Sequence, residues 1–241
     1  MTILKSLAKF GSNLKVLALG AHADDIELGC GATLLYLKKC FRARIHYVVL
    51  SDHSASRQAE HERKGEIIAS SKLLQADTFD CFSFTDTEFP NSWRTIQEHV
   101  AQLRRDYQPD LVFAPRLNDN HQDHVVVAEA ARREFREGQP VWHYEVKQLG
   151  QDQFDANIFI DVSGPTGCDD EEYKRFLAET GGRDSFAHRK VFILQKCFIS
   201  QANRPCMNPE LLLGFMRWRA LQCSRNIVYA EAFNGKVLIH S

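Results

Sequence analysis

Apolar residues along this chain follow two rhythms that take turns. Short runs in which most positions are apolar, at 15–20, 45–50 and 111–114, predict strands buried on both faces. Longer stretches repeat their apolar residues every three or four positions and predict helices over 31–40, 58–74, 96–107 and 124–136. Alternation at 78–84 predicts a further strand. Later strands are expected at 141–146, 158–162, 228–233 and 237–240, with a helix at 211–221. Strands alternating with helices of this length imply β-α-β crossovers. The expected fold is therefore α/β, a Rossmann-like, mostly parallel sheet with helices on both faces, in a single domain spanning 1–241.

The rhythm breaks at 163–186, where Gly164-Pro165-Thr166-Gly167 and Gly181-Gly182 bracket Asp169-Asp170-Glu171-Glu172-Tyr173-Lys174-Arg175. Acidic residues early and basic ones late suit the helix dipole, so a short exposed helix between flexible turns is expected. The flanking glycines make this segment the expected lid.

With 241 residues, 44% of them apolar, the chain can bury the core of one full α/β domain. Its 30 basic residues balance 31 acidic ones, which leaves no basic excess for a nucleic-acid partner. Seven cysteines, an odd number with no C-x-x-C pair, argue against a disulfide framework or a cysteine zinc site, and for a reducing compartment. No apolar run approaches the roughly 18 residues of a membrane span, and none suits a signal peptide. A soluble, cytoplasmic protein with no membrane span is expected.

Two polar clusters follow predicted strands. Ala21-His22-Ala23-Asp24-Asp25 comes after 16–20, and Asp119-Asn120-His121-Gln122-Asp123-His124 comes after 111–115. Loops leaving the carboxyl ends of parallel strands meet at one rim of the sheet. Imidazoles and carboxylates are the ligands of a catalytic zinc, which keeps one position open for water. His22 and Asp25, three apart on a turn, can share an ion. Asp24 between them must point elsewhere and can take a proton. His121 and His124 have the same spacing, so one can complete the coordination while the other, protonated, stabilises an oxyanion. Asp123 or Asp119 can orient a histidine by accepting its second N–H. Taken alone, Asp24 or Asp25 reads better as a helix N-cap, and His121 as decoration of a helix start. Gly20, Gly29 and Gly31 do not make G-x-G-x-x-G, and their turn is acidic where a pyrophosphate needs amide donors.

The same residues carry a family resemblance. Residues 21–31, Ala-His-Ala-Asp-Asp-Ile-Glu-Leu-Gly-Cys-Gly, resemble the A-H-[PA]-D-D-x-x-x-G-x-G signature of the PIG-L/LmbE family of zinc-dependent de-N-acetylases. Residues 115–124 resemble its second block, P-x-x-x-D-x-H-x-D-H. Arg63-Lys64-Gly65-Glu66 is similar to its R-x-x-E, and Tyr229-Ala230-Glu231-Ala232-Phe233 to its Y-A-E-x-F. The resemblance implies that His22, Asp25 and His124 hold Zn2+ or another divalent ion. It makes Asp24 the general base, His121 the electrostatic stabiliser, and Arg63 a contact for the acyl or carboxylate group. It further implies removal of an N-acetyl group from an N-acetylglucosamine-type sugar or conjugate, and a homo-oligomer, trimeric or hexameric. The alternatives are an amidase for a non-sugar N-acyl substrate and a non-catalytic Rossmann-like nucleotide-binding protein. Trp142 and Tyr144, near the expected rim, could stack on a sugar face or fill the strand core.

Overall fold

The structure is a computed structural model and describes residues 13–52, 57–146 and 153–236, without the side chains of 57–62. Its strands are β1 (Lys15–His22), β2 (Arg44–Ser51), β3 (Thr78–Cys81), β4 (Leu111–Pro115), β5 (Val141–Tyr144), β6 (Ile158–Asp161) and β7 (Ala230–Gly235). They form one sheet in the order β3-β2-β1-β4-β5-β7-β6. From β3 to β5 every neighbour is parallel, and β7 runs antiparallel to both β5 and β6. The helices are α1 (Asp25–Phe41), α2 (Arg57–Leu73), α3 (Trp93–Tyr107), α4 (Gln122–Glu134), α5 (Glu171–Thr180), α6 (Phe186–Cys197) and α7 (Pro209–Cys223).

The unbroken apolar run of β1 has its reason in this layering. Val16 and Ala18 enter one core with Ile26 and Leu34 of α1 and Val191 of α6. Leu17, Leu19 and Ala21 enter the opposite core with Ile96 and Val100 of α3 and Val127 and Ala130 of α4. A strand with helices on both sides has no solvent face, so it cannot alternate apolar with polar. The mostly parallel α/β sheet read from the sequence is what forms.

Several boundaries shift. Helix α1 starts at Asp25, not at 31, because its polar first turn is buried and not solvated. Glu27 there is fully buried, bonded by the Tyr47 hydroxyl at 2.8 Å and by the Ser70 hydroxyl. Strand β3 ends at Cys81, although the Phe84 amide still reaches the Leu50 carbonyl at 3.1 Å. Strand β5 ends at Tyr144, and β7 starts at Ala230 because the amides of Val228 and Tyr229 turn to the Ser163 hydroxyl. The strand expected at 237–240 lies outside the described residues.

The segment at 163–186, expected as a flexible lid, makes hydrogen bonds of its own. Asp170 caps α5 by accepting the amides of Glu172 and Tyr173, and the Tyr173 side chain is fully buried. Asp184 accepts the amides of Thr166 and Gly167 at 3.1 and 2.8 Å. Gly167 and Gly181 take φ of 64°, and Gly181 ends α5. Trp142 and Tyr144 are also buried, at 3% and 0% exposure, and the Tyr144 hydroxyl donates to the Leu19 carbonyl at 2.7 Å. Neither offers a face to a sugar; both fill the core. All seven cysteines are free, and no described helix is long and apolar enough to cross a membrane.

Gly29 of α1 lies flat against the Tyr144 ring, where an added Cβ would come within 2.0 Å of Cδ2. Gly29→Ala should therefore cost about 1–3 kcal/mol, as overpacking of a filled core does. Denaturant unfolding of the variant, with its m-value unchanged, measures this.

Candidate active site

The carboxyl ends of β1 and β4 adjoin, and the two polar clusters leave from them. Strand β1 closes on His22, whose amide donates to Asp25 Oδ2 at 2.8 Å. Asp24 between them has φ 88° and ψ −22°, a left-handed conformation that costs a non-glycine residue on the order of 1–3 kcal/mol. Asp24 does occupy the N-cap position of α1, but its side chain makes no capping bond. One carboxylate oxygen, Oδ2, is instead buried without a hydrogen-bond partner, and Arg204 Nη1 lies 4.0 Å from it. Burial pushes the Asp24 carboxyl up to about 7; the charge of Asp25 adds to this, and Arg63 and Arg204 oppose it.

Asp25 behaves in the opposite way. Its Oδ2 lies 3.6 Å from His22 Nδ1 and its Oδ1 3.2 Å from His124 Nε2. The charge and hydrogen bond of His124, with those of His22, hold it well below the usual carboxylate range although burial opposes them. His124 Nδ1 faces Asp119 Oδ2 at 3.4 Å, so the carboxylate that orients this imidazole is Asp119. Asp123, the other residue expected to orient a histidine, faces His22 instead. It contacts His22 Nε2 at 3.1 Å and accepts the amides of Thr87 and Phe89 at 2.7 and 3.2 Å. It anchors the loop after β3 to the histidine of β1.

His121 caps α4: its Nδ1 accepts the Asp123 amide at 3.3 Å. An accepting Nδ1 carries no proton, so the proton of the neutral ring sits on Nε2. Burial and the charges of His22 and His124 lower its pKa, which favours this neutral form. The cap on α4 and the lowered pKa favour a His121 that donates through Nε2 over the protonated ring expected from sequence.

The groups present suit a divalent cation. The ligand atoms of His22, His121 and His124 lie within 4.8 Å of one another, as do those of His22, Asp86, His121 and Asp123. The trio His22, Asp25 and His124 expected from sequence is not one of those groups. Hydrogen bonds to Asp123, Asp25 and Asp86 raise His22 well above its usual pKa against the effect of burial. His124 is raised to about 9, with Asp25 and Asp119 outweighing burial. A cluster that favours positive charge on two buried imidazoles favours a cation in the same place.

Sequence reasoning missed three residues here. Asp86, in the loop after β3, reaches His22 Nε2 at 3.0 Å, and that hydrogen bond lowers it to about 2. Nothing in its local sequence marks it beyond its place after a strand of the sheet. Arg204, far along the chain, faces Asp24. Buried Arg116 donates to the Asn118 carbonyl at 3.0 Å through Nε and shapes the loop that carries Asp119. Of the R-x-x-E pair, Arg63 enters the site, and its Nη1 is buried without a hydrogen-bond partner. Glu66 does not; it binds the amide and hydroxyl of Ser200, each at 2.7 Å.

Above these groups is a cavity of about 610 Å3. One end holds His22, Asp24, Asp25, Asp86, His121 and His124, and Arg63 and Arg204 stand beside it. The lining also includes the apolar Leu28, Val146, Leu211, Leu212, Phe215 and Met216, together with Glu145 and Lys190.

Fold and site together define an α/β protein with a histidine–carboxylate cluster suited to a divalent cation at the rim of a parallel sheet. Residues 17–135 match the family described as PIG-L, GlcNAc-PI de-N-acetylase. An uncharacterized deacetylase, YaiS of Escherichia coli (strain K12), is 31% identical over 121 residues, 48% of this chain and 65% of that protein. The match thus spans less than two thirds of that relative's length. Two solved structures share the fold at 18% identity. The N,N'-diacetylchitobiose deacetylase of Pyrococcus horikoshii has a TM-score of 0.67, over 97% of this chain and 87% of that one. The 4-carboxy-2-hydroxymuconate hydratase GalB of Pseudomonas putida KT2440 has a TM-score of 0.68, over 95% and 98%.

The purified protein should carry about one divalent ion per chain, the stoichiometry of a mononuclear catalytic site. His22→Ala and His124→Ala should each release most of it. Elemental analysis of the three proteins is the check, and unchanged metal in both variants would refute these ligands.

Proposed function

We propose that this protein is a metal-dependent amidohydrolase that removes an N-acetyl group from an N-acetylglucosamine-type sugar or sugar conjugate. The observation that carries the reading is the pairing of two groups at one end of the cavity. Asp24 holds an unbonded carboxylate oxygen there, and His121 is fixed as an Nε2–H donor, beside a cluster that favours a cation. Neither arrangement is needed merely to retain metal.

In this reading His22, Asp25 and His124 hold Zn2+ or another divalent ion. When bound, the ion supplies Lewis acidity toward the attacking water and the amide carbonyl. Asp24 accepts the proton of the water on its free oxygen, and the oxygen of that water bonds to the carbonyl carbon. His121 donates its Nε2–H to the carbonyl oxygen as negative charge gathers there. The C–N bond then breaks while Asp24 returns its proton to the nitrogen, which gives acetate and a free amine. Arg63, with Nη1 unpaired, offers a charged contact to the substrate beside this centre. The rest of the conjugate extends along Phe215, Met216 and Leu212, an apolar wall suited to the C–H face of a sugar or to an apolar aglycone. The PIG-L match over residues 17–135 and the deacetylases this chain resembles support the N-acetyl assignment.

Asp24→Asn should keep the fold and most of the metal but lose about a hundredfold or more in kcat, the usual loss when proton transfer fails. Single-turnover kinetics on metal-replete protein measures this, and near-normal turnover would assign water activation to another group.

For the substrate, zinc-loaded protein incubated with N-acetylglucosamine, its conjugates and chitobiose should release free amine. Phe215→Ala should raise KM for conjugates more than for the free sugar and leave metal content intact. If none of these compounds yields amine, a non-sugar amide becomes the reading.

A further inference from the structure

Helix α1 is bonded in mid-course by two residues from far along the chain. Glu231 of β7 accepts the amides of Ala32 and Thr33 at 3.2 and 2.7 Å. Lys190 of α6 donates to the Leu28 carbonyl and to Glu231 Oε1, both at 2.7 Å. In a regular α-helix the amides of Ala32 and Thr33 serve the carbonyls of Leu28 and Gly29. The ion pair therefore lies across a rung of the helical ladder, its carboxylate on the amide side and its ammonium on the carbonyl side. Both side chains are buried, at 4% and 2% exposure.

Stability alone is a poor reason for such a pair, because desolvation offsets much of the attraction and an apolar pair of similar volume would pack as well. Its geometry points to placement. The Leu28 amide donates to the Asp24 carbonyl at 2.8 Å, while Lys190 holds the carbonyl of the same residue. Gly29, the next residue, is pressed against the Tyr144 ring, so this turn has no room to slide. A chain of contacts thus runs from Glu231 through Lys190 and Leu28 to Asp24, whose backbone sits in the strained left-handed region just before Asp25.

We propose that Lys190 and Glu231 are positioning residues that fix the Asp24–Asp25 turn through the first turns of α1. Neither is assigned contact with the reacting atoms. The inference rests on the metal-hydrolase reading for the purpose of that turn, and it gives the Tyr229–Phe233 motif a role about 200 residues from the acids it serves.

The test uses the full chain as wild type, Glu231→Gln, Lys190→Met and the double variant, which leaves no unpaired buried charge. Co2+ affinity is measured by chelator competition, ligand geometry by the visible absorption of bound Co2+, and backbone protection at 24–33 by hydrogen exchange. Glu231→Gln should bind Co2+ about tenfold or more weakly, as when a supporting partner of a metal ligand is lost. It should also shift the Co2+ band, exchange faster at 24–33 than in the sheet, and lower kcat at saturating metal with little change in KM. If single variants do not fold, the double variant should show the same changes. A lowered melting temperature with Co2+ affinity, spectrum and exchange as in wild type would overturn the proposal. A wild-type protein that binds no Co2+ would count against the hydrolase reading. Exchange at 24–33 would then decide the positioning claim, and unchanged exchange would overturn it.

Discussion

Asp25 sets one carboxylate oxygen against His22 on its own turn and the other against His124 from across the sheet. The site depends on that shared carboxylate. It can exist because β1 and β4 are parallel neighbours, so the loop after one and the helix after the other leave the sheet side by side. A slip of either strand would separate the two imidazoles. Asp119 and Asp123 then fix the far sides of His124 and His22, and each imidazole is held from two directions.

Around this core, backbone conformation divides the labour between adjacent residues of like chemistry. Asp24 and Asp25 are neighbours in the chain, yet burial raises one to about 7 while histidines hold the other low. Two carboxylates pushed apart in this way suit one to accept a proton and the other to stay ionised beside a cation. The left-handed backbone of Asp24 separates them, since it turns consecutive side chains away from each other. His121 and His124 are divided similarly. The cap of α4 consumes one nitrogen of His121 and leaves the other as a donor, while His124 is buried between carboxylates.

The C-terminal part of the chain is more than an edge. Strand β7 inserts antiparallel between β5 and β6 and brings Glu231 under α1. Helix α7 raises the apolar wall of the cavity, and Arg204 just before it faces Asp24. The parallel half supplies the histidine–carboxylate cluster, and the C-terminal half supplies much of the cavity lining beside it.

The sequence by itself determined the α/β class, the central strands and the two polar clusters, because each is local. Strands buried on both faces must be continuously apolar, and strand ends in a parallel sheet must share one rim. It could not mark the start of α1, since the buried Glu27 looks like a solvated residue until Tyr47 and Ser70 are seen to bond it. It also could not separate the two readings of Trp142 and Tyr144, which depend on what packs against the strand. Asp86 and Arg204 carry no local signal, and only the path of the chain in space brings them to His22 and Asp24. The fate of 163–186 was equally tertiary. Its glycines suggested a lid, and the contacts of Asp184 and the burial of Tyr173 are ones that no spacing in the chain encodes.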